Sequence, residues 1–201
     1  MKNLFRDHSY DMVKMFLNQF ATAIFGFSLV LATEKAQNTM LRNITSVAAI
    51  LFYLFLLYTM TWELGFRDRV GVLHGTKPNR PWKGALISLF ANSINFLLAI
   101  LIMLGAFFPK TALGGVGGVC KVAALLVEGM YTGLLANRVG GVQLNSMWFM
   151  FFVIILPSVL VCGLAYFFGL KDVKFTAGVN RQQYPESDRA PKQKRNNKND
   201  D

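Results

Sequence analysis

The sequence predicts an all-α integral membrane protein. Four transmembrane helices form two antiparallel hairpins, with an extra surface or re-entrant helix between spans three and four. Three observations carry this reading. Of the 201 residues 53% are apolar and only 16% charged, against roughly a quarter charged in soluble domains. The charges are also segregated: none falls between Lys14 and Glu34, from Asn43 to Trp62, from Gly84 to Pro109 or from Val139 to Leu170. Each gap reaches or approaches the ~20 residues that a helix rising ~1.5 Å per residue needs to cross ~30 Å of hydrocarbon. Finally, 16 of the 21 Lys and Arg residues lie in the N-terminal segment, the central loop and the tail. Cytoplasmic loops keep such cations and short translocated loops lack them, so both termini are expected in the cytoplasm.

The first span covers about 12 to 32. Lys2, Arg6, the apolar run and Val30-Leu31-Ala32 have the outline of a signal peptide. The basic region extends to Lys14, however, and Asn18 and Gln19 interrupt the apolar part, so an uncleaved helix is expected. A link of about eleven residues makes the second span, about 44 to 64, its antiparallel neighbour. That span carries Phe52, Tyr53, Phe55 and Tyr58 among leucines and few polar groups, so most of it is expected to face lipid. Glu63 ends it at the depth where Lys14 begins the first. A boundary ion pair of Glu63 with Lys14, or with Arg67 one turn on, is expected. Gly65 before Phe66, like Gly169 before Leu170, reads as a helix C-cap.

The loop that follows is basic and broken by Pro78, Pro81 and three glycines. Arg67, Arg69, Lys77, Arg80 and Lys83 are the expected docking residues for anionic headgroups or a protein partner, with Trp82 an interfacial anchor. No phosphate-loop or dinucleotide glycine spacing is present. The net charge of +10 follows from the positive-inside bias, and no nucleic-acid partner is expected.

The third span, about 85 to 107, is the most informative. Ala85, Ser88, Asn92, Asn95 and Ala99 share one helical face, which must avoid lipid. Either the face makes interhelical hydrogen bonds, or it lines a polar pathway together with Asn18 and Glu128. A helix over about 119 to 137 follows, flanked by glycines acting as hinges, and its surface-lying, re-entrant or spanning placement stays open. The fourth span, about 147 to 169, should be kinked by Pro157. Residues 171 to 201 form a basic cytoplasmic tail, expected to be disordered.

Cys120 and Cys162 lie at different depths and should be free thiols. His8 and His74 are isolated, so no metal site is expected. Neither a nucleophile with its base nor a carboxylate pair at one depth is present; no catalytic residue or cofactor is assigned, and an enzyme is not expected.

The two hairpins match in outline, which suggests a parallel duplication. The Glu63-x-Gly65-x-Arg67-Asp68-Arg69 boundary, the Lys77-Pro-x-Arg80-Pro loop and the Gly169-Leu-Lys171-Asp172 exit resemble a group of small, uncharacterised polytopic membrane proteins of Gram-positive bacteria. The resemblance implies a plasma-membrane location and attaches no activity to any residue. The expected function is a non-enzymatic accessory or scaffold subunit that contacts lipid, a protein partner or further copies of itself. The alternative is a small-solute transporter or channel component using the asparagine face.

Overall fold

A proline-free run, free of charge from Met15 to Thr33, winds into α1 (Lys2–Lys35) of a computed structural model that describes residues 2–173, with side chains from residue 8 onward. The basic tail from 174 onward and the side chains of Lys2 and Arg6 lie outside the described residues. Asn38 caps α2 (Thr39–Leu73), its side-chain oxygen accepting the Leu41 N–H at 3.1 Å. At ~1.5 Å per residue both helices are ~50 Å long, well beyond a hydrocarbon layer. Helix α2 therefore runs on past the expected end at residue 64.

The rest of the chain is interrupted. Helices α3 (Lys83–Ala91) and α4 (Ser93–Phe107) meet at a 59° bend on Asn92. Helix α5 (Ala112–Val127) ends at Glu128, where a 3-10 turn (Gly129–Tyr131) leads into α6 (Thr132–Leu135) with an 88° bend. A two-residue hairpin of β1 (Arg138–Val139) and β2 (Val142–Gln143) turns through Gly140 and Gly141, at φ +60° and +83°. Those positive angles are what a tight hairpin turn needs and what glycine adopts freely. Helix α7 (Met150–Val153) then breaks just before Pro157, which sits in the first turn of α8 (Leu156–Lys171) where its missing N–H is harmless. Three helices are long and apolar enough to cross a membrane, or five if each bent pair counts as one.

The sequence reading placed the extra helix at 119 to 137 with glycine hinges before it. Instead Gly114, Gly115, Gly117 and Gly118 lie inside α5, and the break falls at Glu128. Gly117 meets Gly105 backbone to backbone, so α4 and α5 form a tight antiparallel pair. Gly129 then abuts the Ala23 carbonyl on α1, and Gly133 abuts Val30 and the Ser46 side chain. Residue 137 reaches Arg42 and Asn43. Segment 112–137 thus runs back along α4 to mid-bundle, where Gly129 meets α1, and its end reaches the α1–α2 turn.

Helix α8 fills the gap between α2 and α3. Gly65 lies under the Tyr166 carbonyl, Gly169 under that of Trp62, and Gly84 against Cys162 and the Tyr166 Cβ. Gly65 and Gly169 are thus contact points inside helices rather than C-caps. The actual cap of α8 is Asp172, at φ +57° in the left-handed region. Small residues let helices approach closely where no hydrophobic effect drives them together.

Candidate functional site

The inner face of α2 carries a polar stripe that the leucine-rich sequence hides: Ser46, Tyr53, Thr61 and Asp68 are all buried. Their spacings of seven or eight residues are two helical turns, so they share one face. On the opposite side of α2, which the sequence reading turned to lipid, Leu51, Phe52 and Phe55 are exposed.

At mid-bundle this stripe meets both helix breaks. The Asn92 side-chain N–H donates to the Ser88 carbonyl at 2.9 Å and to Ser158 Oγ at 3.2 Å, and its oxygen accepts from Asn95 at 2.9 Å. The amide competes with the backbone for the Ser88 carbonyl, which is the local reason for a bend here. Tyr53 neighbours Ser158, Cys162, Tyr131 and Glu128, and so joins the first break to the second. At the second break, Thr132 Oγ1 donates to the Leu125 carbonyl at 3.0 Å, satisfying a group the bend frees.

Glu128 is the singular member of this core. It is 4% exposed, no ion pair reaches it among the described residues, and Oε2 has no hydrogen-bond partner. Tyr131 Oη and Asn95 Oδ1 are likewise buried and unpaired. The register fixed by Gly105 against Gly117 puts Glu128 ~17 Å and Asn92 ~20 Å along their helices from that contact, at nearly one level. An unpaired carboxylate in such surroundings is costly by several kcal/mol. It therefore requires a proton or a cation as counter-charge.

A second cluster closes the end of the bundle that bears the 74–82 loop. The Asp68 carboxylate takes Lys77 Nζ on Oδ1 and Lys83 Nζ on Oδ2, both at 2.5 Å, and the Tyr166 hydroxyl on Oδ2 at 2.8 Å. This centre was not singled out by the sequence, which assigned Lys77 and Lys83 to docking. Of the other docking candidates, Arg67 pairs with Asp11 at 3.2 Å, Arg69 with Asp172 at 2.6 Å, and the Arg80 guanidinium lies 5.9 Å from the Trp82 ring centroid. The expected boundary pair does not form: Lys14 and Glu63 line one cavity of about 190 Å³ without an ion pair, and Arg67 has gone to Asp11. Asn18 lines the same cavity, away from the Asn92 cluster, and its amide reaches only Met60 Sδ at 3.6 Å.

At the opposite end, Arg42 bridges Glu34 (3.2 Å) and the Asn137 oxygen (3.1 Å), while the Asn137 amide donates to Asn43 at 2.9 Å. This ties the returning segment to the α1–α2 turn. Cys120 and Cys162 are free and buried, and no group of three metal-binding side chains occurs among the described residues. No family model, curated protein or solved structure matches the chain.

Proposed function

We propose that this is a plasma-membrane protein with four crossings and cytoplasmic termini, and that it binds a proton or small hard cation at Glu128 as a component of a small-solute transporter or channel. The observation that carries the reading is the unpaired, buried Glu128 carboxyl at a helix break, level with the Asn92 break. Intramembrane ionisable groups mark ion and proton paths, and broken helices supply sites at the midplane. Both breaks are absent from the sequence reading, which found an interruption only at Pro157. An oxygen-only donor set of carboxyl and phenol, Glu128 with Tyr131, suits protons and hard cations rather than soft metals. Segment 112–137 serves as a re-entrant element that carries Glu128 to mid-depth from the outer side.

A second reading, the accessory or scaffold subunit, draws on the cytoplasmic end. There Asp68 ties the loop to α2 and α8 and makes a rigid platform.

The test is infrared difference spectroscopy on the full chain in proteoliposomes, exchanging H⁺, Na⁺ and K⁺ in turn. A carboxyl band that responds to one of these ions and disappears in Glu128→Gln is expected. A response unchanged by Glu128→Gln, or no response to any of the three, would overturn the cation-site reading and leave the scaffold.

A further inference from the structure

We infer that the notch between α1 and α2 is a binding site for a phospholipid whose headgroup carries both a phosphate and a primary ammonium. The inference rests on the membrane location alone and not on the role given to Glu128.

The notch holds about 190 Å³ and is lined by Lys14 and Asn18 of α1 and by Leu56, Thr59, Met60 and Glu63 of α2. Its walls carry one cation and one carboxylate. Both are exposed, and neither makes an ion pair among the described residues. Two opposite charges that line one cavity yet do not close on each other accommodate a zwitterion: phosphate to Lys14, ammonium to Glu63.

The depth order of the walls matches the order of groups along a phospholipid. Lys14 and Glu63 stand where the charge-free runs begin and end, which is headgroup level. One turn deeper come Asn18 and Thr59, hydrogen-bonding side chains suited to the ester region. The Thr59 hydroxyl donates to the Leu56 carbonyl at 3.0 Å, which leaves its oxygen able to accept. Asn18 donates only to a thioether at 3.6 Å, a weak commitment. Deeper still, Ala21 and Leu56 lead to Phe25 and Phe52, half-exposed rings whose centroids lie 6.2 Å apart and which form a floor for an acyl chain. Residues 14, 18, 21 and 25 on α1, and 63, 59, 56 and 52 on α2, each follow one helical face.

The headgroup class follows from hydrogen bonding. A primary ammonium donates N–H bonds to the Glu63 carboxylate, whereas a quaternary ammonium has none to give. An anionic glycerol headgroup would satisfy Lys14 and leave Glu63 facing a negative neighbour.

Native mass spectrometry of the full chain in detergent tests this, with equimolar phosphatidylethanolamine, phosphatidylcholine and phosphatidylglycerol of matched acyl chains as probes. The ethanolamine lipid should be retained over the other two by roughly two- to fivefold, the range of an exposed charged contact. Glu63→Gln should erase the preference over phosphatidylcholine. Glu63→Lys should transfer the preference to phosphatidylglycerol, and Lys14→Arg should keep the original order. Glu128→Gln should leave all of this unchanged, so that failure of the cation site and failure of the lipid site are told apart. Equal retention of the three lipids, or a preference unaltered in Glu63→Gln, would overturn the inference. So would charge variants that dissociate a dimer without altering lipid retention, because a second copy would then occupy the notch.

Discussion

Removal of the Asp68 carboxylate should destabilise this protein more than any other single side-chain truncation at the loop end of the bundle. The residue is 2% exposed and serves three donors on three segments: Lys77 from the loop, Lys83 from the start of α3 and Tyr166 from α8. Lys83 is the decisive partner, because its side chain is only 15% exposed while that of Lys77 is 50% exposed. In Asp68→Ala, Lys83 becomes a nearly buried charge without a counter-ion, a situation worth ~3–5 kcal/mol. The Lys77 contact adds ~0–1 kcal/mol, since water takes its place. Tyr166→Phe deletes one hydrogen bond to a charged group, ~1.5–3 kcal/mol. The double variant should fall short of additivity by ~1 kcal/mol, because the tyrosine has already lost its acceptor. At ~2–4 °C per kcal/mol for a chain of this size, Asp68→Ala should lower the melting temperature by roughly 10 °C and Tyr166→Phe by roughly 5 °C. Thermal unfolding in detergent, followed by the combined fluorescence of Trp62, Trp82 and Trp148, reads this directly. Unchanged melting in Asp68→Ala, or full additivity in the double variant, would refute the claim that these groups act as one centre.

Three further expectations are checked by equally simple means. Gly65→Ala drives a methyl group into the Tyr166 carbonyl and should destabilise by ~1–3 kcal/mol, whereas Gly115→Ala and Gly118→Ala, with open space around them, should be neutral or stabilising by up to ~1 kcal/mol; melting temperatures of the three variants decide. Asn137→Ala removes the tie from the hairpin to Arg42 and Asn43, so hydrogen exchange over 129–143 should quicken about tenfold or less for a bond worth ~0.5–1.5 kcal/mol, while the midpoint of global unfolding hardly moves. For topology, Thr111→Cys should react with an impermeant thiol reagent added outside intact cells and Thr76→Cys should not, against a low background because Cys120 and Cys162 are buried; the reverse pattern would invert the orientation.

Helix existence was legible in the sequence because charge-free runs of helix-spanning length admit few alternatives, and the Asn92–Asn95 face was legible because its spacing matches a helix. The breaks were not. Asn92 bends its helix only because Ser88 and Ser158 offer side-chain and carbonyl partners, and Ser158 is 66 residues away. Glu128 was a candidate for the polar pathway, but its place at a break was not legible, because that place depends on Gly129 and Gly133 fitting against α1 and α2. The capping reading of Gly65 and Gly169 failed for a related reason. Glycine before an apolar residue is what a left-handed cap requires and also what a helix crossing tolerates, and only the arrival of α8 separates the two. Lys77 and Lys83 looked like free cations because the buried partner Asp68 sat among exposed basic residues. The stripe of Ser46, Tyr53, Thr61 and Asp68 was readable in principle from its seven- and eight-residue spacing, but aromatic and leucine residues between them dominated the average.

The contrast between the satisfied groups of the first break and the unsatisfied ones of the second bears on structural polarity against a binding role. An interhelical hydrogen bond in a membrane is worth only ~0.6 kcal/mol, and a buried unpaired group costs ~1–3 kcal/mol. Polar residues kept purely for cohesion should therefore be paired, as Ser88, Asn92 and Ser158 are. At the second break the pattern reverses: Glu128 Oε2 and the hydroxyl of its neighbour Tyr131 are buried without partners. Two such oxygens more than cancel the cohesion of a neighbouring hydrogen bond. In the proposed reading, what stabilises the arrangement in a membrane is something the oxygens accept, a proton, a cation or the water that accompanies one. In that reading the asparagines hold the helix break in shape, and the proposed cation chemistry falls to the glutamate at the end of α5.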